Sequence, residues 1–258
     1  MLFSCNSVQT FRRSLRLKRM RLETQPLVYN WRGIKSRFAT QILYYIGNTA
    51  VAEPFGGTGS VVSANPFGGS WNDLDEGLFR VATEIQRSYR FYEDCCSLSP
   101  RDQTEADELL SHIRSMNRGQ IPGALFAWGN CCTFGGMLEG RVYWDEKDGR
   151  RRRRWDSYCA QIPLKQKTWS NICVSNRDYK EFIESVSPTP LFVDPPYPGT
   201  ATAGYTATVD FTEMDSILES YPGVVFRAGY ENDCRWPRIL LGSIGGRENF
   251  LFARDGFG

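Results

Sequence analysis

The sequence predicts an α/β fold in which strands and helices alternate at both ends of the chain and a long insert separates the two halves. Three short stretches have the pattern of strands, and each ends in an acid: Glu53, Asp73 and Asp194. Open α/β sheets place their ligands at such strand ends. At 258 residues the chain is long enough for one large domain with an inserted lobe.

Composition excludes several classes of protein. The net charge is only +2, so the total charge does not indicate a nucleic-acid partner. No apolar run approaches the ~20 residues of a membrane helix, and no signal peptide is recognisable. The eight cysteines include no Cys-x-x-Cys spacing, and His112 is the single histidine. We expect a cytoplasmic protein with reduced thiols, no metal site and no membrane contact.

The first 25 residues are polar and basic, with six cations between Phe11 and Arg21. They are typical of a disordered extension, and an arm lying on DNA phosphates is the alternative. A Trp-x-Gly-x-Lys turn at Trp31, Gly33 and Lys35 then precedes a helical pattern. Such a turn at the start of a helix suits a carboxylate or another anion, although a buried tryptophan and a surface lysine explain it equally well.

A glycine-rich turn follows the first strand. Gly57 and Gly59 would let a ligand approach the backbone closely. The third glycine of the dinucleotide fingerprint is missing, because position 62 is valine. Asp73 lies 16 residues after Gly57. In a βαβ unit this spacing puts an acid at the end of the second strand, where it can bind ribose hydroxyls, so the unit predicts an adenosine-binding site.

The stretch Asp194-Pro195-Pro196-Tyr197 ends the strand at 191–193. The prolines stop the strand and fix the backbone after it, which predicts a rigid shelf carrying a carboxylate and a ring. Asp194 and the Pro195 carbonyl can accept hydrogen bonds from an exocyclic amine while Tyr197 stacks on its ring. The two acceptors would localise the amine lone pair and aim it at an electrophile. Taken alone, Asp-Pro-Pro is more often a plain turn.

Residues 91–175 interrupt the alternation of strands and helices. A run of five arginines is followed by lysines that alternate with aromatic rings, among them Trp155, Tyr158 and Trp169. Phosphate contacts combined with base stacking require this mixture, and a solvated loop is the alternative. The predicted DNA contacts are Arg150, Arg151, Arg152, Arg153, Arg154, Lys165 and Lys167.

These features define the predicted domain boundaries. Residues 1–25 form the extension, 26–90 together with 176–258 form the catalytic domain, and 91–175 form an inserted, mainly helical and loop target-recognition region. The stretch from Pro198 to Thr208 is rich in glycine, alanine and threonine, and it could close over a substrate.

The order of the motifs resembles that of the Dam-type DNA adenine-N6 methyltransferases. The resemblance rests on Asn30–Lys35, Glu53–Val61, Asn72–Asp75 and Asp194–Tyr197, with the insert before the last motif as in that family. In the first motif, Ile34 stands where the family usually has a second glycine, and Asn30 stands where a lysine is common. After Tyr197 the similarity is weaker.

The resemblance implies a Rossmann-like methyltransferase sheet that binds S-adenosylmethionine and methylates the N6 amine of an adenine flipped out of double-stranded DNA. It implies a catalytic group of Asp194, Pro195, Pro196 and Tyr197, with Tyr197 stacked on the flipped base. It implies cofactor contacts from Trp31, Lys35, Glu53, Phe55, Gly57, Gly59, Asp73 and Asp194. A bacterial or phage setting and a cognate restriction endonuclease as a partner are compatible with it.

Three other functions stay open on the residues alone. The amine acceptor could be cytosine N4, an RNA adenine or a protein glutamine, although the arginine run favours nucleic acid. The chain could also be a catalytically inactive DNA-binding module on the same fold. A nucleotide-dependent oxidoreductase is disfavoured by the incomplete glycine fingerprint and by the strand end at Asp194.

Overall fold

The computed structural model describes residues 24–29, 35–136, 138–144, 149–196, 209–230, 234–244 and 246–257. The helices in this part of the chain are α1 (Ala39–Ile46), α2 (Glu76–Arg87), α3 (Phe91–Ser97), α4 (Gln103–Ser115), α5 (Gly123–Cys132), α6 (Arg150–Trp169), α7 (Tyr179–Ser185) and α8 (Phe211–Ser220). The strands are β1 (Val51–Glu53), β2 (Gly69–Asn72), β3 (Ile172–Ser175), β4 (Leu191–Val193), β5 (Val225–Gly229), β6 (Arg238–Ile244) and β7 (Arg247–Ala253).

The described strands form one seven-stranded sheet in the order β3-β2-β1-β4-β5-β7-β6. The first five in that order are parallel, and β7 runs antiparallel to both β5 and β6. The chain leaves β1 for β2 on one side and returns to β4 on the other. This reversal of strand order creates a crevice at the carboxyl ends of β1 and β4, where open α/β sheets bind their ligands. The predicted α/β fold is confirmed.

Both faces of the sheet are covered, which explains why β1 and β4 are buried along their whole length. One face carries α1 and α2 together with the helices of the insert. The other face carries α7 and α8, which pack on Leu191, Val193 and Val225. No helix among the described elements is long and apolar enough to cross a membrane.

Helix boundaries follow local capping signals. Asp75 caps α2 by accepting a hydrogen bond from the Leu78 N–H at 2.9 Å. Asp102 and Asp178 cap α4 and α7 in the same way. Gly47 ends α1 with φ 87° and donates its N–H to the Leu43 carbonyl.

The insert differs from the predicted one in two respects. Residues 172–175 form β3, which pairs in parallel with β2 along Gly69–Asn72, so the predicted boundary at 175 assigns one strand of the sheet to the insert. The helices α3 to α6 share a continuous apolar core with the sheet instead of forming a separate lobe. The predicted boundary between the N-terminal extension and the catalytic domain also shifts, because Gln25 is buried in this core region. Residues 1–23 lie outside the described residues.

Candidate active site

Two acids meet at the crevice where the strand order reverses. Glu53 is the last residue of β1, Asp194 directly follows β4, and these strands pair through Ala52 and Leu191. Glu53 is buried and accepts the Val62 N–H at 2.5 Å. Burial raises the pKa of Glu53 to about 8, and the charge of Asp194 adds to that rise. The carboxyl group of Glu53 therefore holds the glycine-rich loop, which contains Gly57 and Gly59, against the end of β1.

A lysine from the first motif neutralises the second acid. The Lys35 Nζ donates to both carboxylate oxygens of Asp194, at 2.9 and 2.7 Å. Lys35 is only 5% exposed and Asp194 is 17% exposed, so little water screens this ion pair. The sequence predicts both residues near a cofactor but not their ion pair, since 159 positions separate them.

The glycine-rich loop is held against the end of β2. Gly57 has φ 50° and donates its N–H to Asp73 Oδ2 at 2.7 Å, while Asp73 Oδ1 accepts the Asp75 N–H at 2.8 Å. Burial raises the pKa of Asp73 to about 7, and the charge of Asp75 adds to it. The structure thus brings together the loop and the acid that their spacing predicted, with the carboxylate at the end of β2.

A residue that the sequence analysis missed completes this attachment. The Asn72 side chain donates to the carbonyls of Pro54 and Arg177, at 3.0 Å each, and accepts hydrogen bonds from Ser175 and Arg177. Asn72 is buried and its own carbonyl accepts the Gly56 N–H. One side chain therefore joins the start of the glycine-rich loop to the end of β3, and only its place before Asp73 hinted at this role.

Phe55 lies beyond the end of β1, where its ring packs against Tyr179 from α7 with centroids 5.1 Å apart. This contact gives the crevice an apolar wall.

Pro195 is buried and Pro196 is half-buried beyond β4. The described residues do not include Trp31, Tyr197 or the loop from Pro198 to Thr208. The roles predicted for them stay predictions.

The arginine run begins α6 instead of forming a loop. Arg150, Arg152 and Arg153 are exposed, and Arg151 and Arg154 are half-buried. Positive side chains at a helix N-terminus meet the positive end of the helix dipole and disfavour the helix. An anionic partner would relieve this repulsion, so the placement is compatible with the predicted phosphate contacts. Lys167 is also exposed.

The prediction that Lys165 contacts DNA is wrong. Lys165 is 0% exposed, and its Nζ donates to the Pro26 carbonyl. The prediction of base stacking by Trp155, Tyr158 and Trp169 fails for the same reason, because all three rings are buried. These residues recur at helical spacing on the inner face of α6, a periodicity that the sequence analysis did not apply to this stretch.

Within the described ranges, no group of three or more His, Cys, Asp or Glu side chains is arranged to hold a metal ion. The residues at the crevice are instead two acids, a lysine, a glycine-rich loop and aromatic rings. Such a set can bind hydroxyl and amine donors and can hold an amine close to a carboxylate.

Comparison with known proteins identifies one family. A family model described as D12 class N6 adenine-specific DNA methyltransferase matches residues 31–221, which is 191 of the 258 residues. The matched region contains Lys35, the glycine-rich loop, Asp73 and Asp194. A search of curated proteins found no match.

Gly59 provides a test of how the glycine-rich loop is packed. It has φ 65°, and a Cβ there would lie 2.4 Å from the Trp169 ring. Gly246 has φ 79° and no atom within 4 Å of such a Cβ, so it is a matched control. Either Gly→Ala change should lower the free energy of unfolding by about 1–2 kcal/mol, because alanine is strained in the left-handed backbone region. Gly59→Ala should lose about 1–3 kcal/mol more through overpacking, measured by urea unfolding. Equal losses would contradict this packing.

Proposed function

The chain belongs to the D12 class of N6 adenine-specific DNA methyltransferases, and on that premise we propose that it holds S-adenosylmethionine at the carboxyl ends of β1 and β2 and the target adenine at Asp194. The reaction moves a methyl group to the N6 amine of adenine in DNA. The family is one of S-adenosylmethionine-dependent enzymes, whose cofactor supplies an electrophilic methyl group on a sulfonium. The observation that carries the assignment of residues is that Glu53 and Asp73 both bond the glycine-rich loop while Asp194 lies beside Glu53.

The side chains at the end of β2 suit the adenosine part of that cofactor. Each carboxylate oxygen of Asp73 accepts one backbone N–H, which leaves lone pairs that ribose hydroxyls can use. Gly57 adds no Cβ to the loop, whereas at Gly59 the missing Cβ makes room for the Trp169 ring. Phe55 and Tyr179 offer an apolar wall beside it. In this proposal Asp73 orients the ribose, and Glu53 acts by holding the loop rather than by touching the reacting atoms.

Asp194 is proposed as the catalytic carboxylate. The N6 nitrogen gains positive charge as the methyl group is transferred, and a fixed carboxylate beside it stabilises that charge. The same carboxylate can accept an amine hydrogen and so direct the nitrogen lone pair. The Pro195 carbonyl is the second proposed acceptor. Flipping of the base is required because the amine cannot be reached inside a stacked duplex.

Lys35 and the target amine would compete for the same oxygens of Asp194. With its Nζ at 2.9 and 2.7 Å from the two oxygens, Lys35 fixes the direction of the carboxylate before substrate arrives. Lys35 would also hold the carboxylate of S-adenosylmethionine when the cofactor is bound, so that its buried positive charge stays paired while an Asp194 oxygen accepts the amine hydrogen.

The proposed DNA contacts are the outward side chains of α6. Arg150, Arg152, Arg153 and Lys167 can reach phosphates because they are exposed, whereas Lys165 is excluded by its burial. Contacts of this kind contribute affinity without sequence preference. The base sequence that the enzyme recognises must be read by other side chains.

Asp194→Asn tests the catalytic assignment, because it keeps the shape of the side chain and removes its charge. We expect methyl transfer to duplex DNA to fall by about 100-fold or more, while S-adenosylmethionine still binds by calorimetry. Asp210→Asn is the control, since Asp210 caps α8 and asparagine caps helices equally well. Full activity of Asp194→Asn, measured by transfer of labelled methyl groups, would refute the assignment.

The double substitution Arg152→Gln and Arg153→Gln tests the DNA surface. DNA affinity should fall, and the slope of log K against log salt should flatten by roughly 0.9 for each lost phosphate contact. Arg235→Gln is the control, because Arg235 is 83% exposed and pairs with Glu219 of α8, on the face of the sheet opposite to α6. An unchanged salt slope in the double variant, measured by fluorescence anisotropy, would remove α6 from the DNA interface.

A further inference from the structure

Residues 24–29 form a segment, here called the anchor segment, that crosses the glycine-rich loop. Leu27 and Val28 are fully buried, and Gln25 is nearly so. The Leu27 N–H donates to the Thr58 carbonyl at 2.9 Å, and the Gln25 N–H donates to the Ser63 hydroxyl at 3.1 Å. The anchor segment is therefore tied to the loop proposed to bind the cofactor, and it leads by way of residues 30–34 to Lys35.

The carbonyls of the anchor segment are bonded by side chains of one helix. Trp169 Nε1 donates to the Gln25 carbonyl at 2.8 Å, Lys165 Nζ donates to the Pro26 carbonyl, and Tyr158 Oη donates to the Leu27 carbonyl at 2.7 Å. The three donors lie on one face of α6, because they are spaced by seven and four residues. The anchor segment belongs to no strand, so its buried carbonyls need such partners.

We propose that Tyr158, Lys165 and Trp169 are positioning residues of the cofactor site, which hold the anchor segment and the glycine-rich loop in register. This inference rests on the proposed function. Trp169 acts on both parts, since its ring also packs against the position of Gly59 and against Trp71, with ring centroids 5.9 Å apart. Loss of a donor would release a carbonyl and let the anchor segment shift against the glycine-rich loop, which would weaken cofactor binding.

Lys165 is hard to explain as packing alone. A fully buried ammonium carries a large desolvation penalty, and an apolar side chain of similar length would fill the same space. Its Nζ lies 5.0 Å from the Tyr29 ring centroid and 5.1 Å from that of Tyr158, so cation–π contacts offset part of the penalty. What an apolar residue could not supply is the hydrogen bond to the Pro26 carbonyl.

Lys165 is also the group in this cluster that titrates near neutral pH. Burial lowers the pKa of Lys165 to about 7. The groups that face it, Tyr29 and Cys131, have pKa values raised by burial to about 12, and burial also raises the pKa of Tyr158. The guanidinium of Arg154 acts on both Tyr29 and Cys131. Protonated Lys165 makes a charge-assisted hydrogen bond to Pro26, which weakens as the pH rises through about 7.

The test compares Tyr158→Phe and Lys165→Met with the wild-type protein. Each variant should raise KM and Kd for S-adenosylmethionine by about 10-fold, the effect of losing one buried hydrogen bond, while kcat at saturating cofactor and DNA affinity change little. The ratio of the Lys165→Met KM to the wild-type KM should fall toward one as the pH rises from about 6 to 8, because the wild-type protein loses its charge-assisted bond there. Asp73 and Glu53 titrate in the same window, but they do so in both proteins and cancel in the ratio. A ratio that does not change with pH would contradict the role of the Lys165 charge.

Tyr221→Phe is the matched control. It removes a hydroxyl that donates to the Thr189 carbonyl at 2.5 Å on the opposite face of the sheet. It should lower the unfolding temperature without changing KM. If Tyr158→Phe and Lys165→Met likewise lower only the unfolding temperature, the positioning role is refuted. If Lys165→Met does not fold, Tyr158→Phe carries the test. Failure of the wild-type protein to bind S-adenosylmethionine would instead refute the proposed function.

Discussion

The ion pair between Lys35 and Asp194 is the interaction on which the rest of the site depends. Asp194 stands beside the buried acid Glu53, and two carboxyl groups in so dry a crevice repel each other when both are ionised. Lys35 supplies the balancing charge, but it comes from the other end of the catalytic domain. The anchor segment precedes Lys35 in the chain and is hydrogen-bonded to α6. An element of the insert therefore contacts the segment that is tied to the glycine-rich loop.

Helix α6 joins two parts of the proposed mechanism. Its first turns carry the arginines proposed to meet DNA phosphates, and its inner face donates hydrogen bonds to the anchor segment through Tyr158, Lys165 and Trp169. Trp128, Trp144 and the inner face of α6 share one apolar cluster with the sheet, so the insert is not a separate lobe.

Local signals made much of the fold predictable. The N-cap residue Asp75 marks the start of α2 and Gly47 marks the end of α1, because capping depends only on nearby backbone geometry. The spacing from Gly57 to Asp73 indicates an acid beside the loop for the same reason. The ion pair of Lys35 with Asp194 was not predictable, since tertiary folding alone brings distant residues together. The charge of Lys165 suggests a surface residue, but its helical spacing places it on the inner face of α6. Burial with a carbonyl partner there overrides the preference of lysine for solvent.

The central claim is that this site methylates adenine N6 in DNA. The most direct measurement is to incubate the purified protein with unmethylated duplex DNA and S-adenosylmethionine carrying a labelled methyl group, and then to digest the DNA and identify the labelled nucleoside. If the site methylates adenine N6, the label will appear in N6-methyldeoxyadenosine and in no other nucleoside. Label in N4-methylcytosine, label on the protein alone, or no transfer by a protein that binds both DNA and cofactor would contradict it.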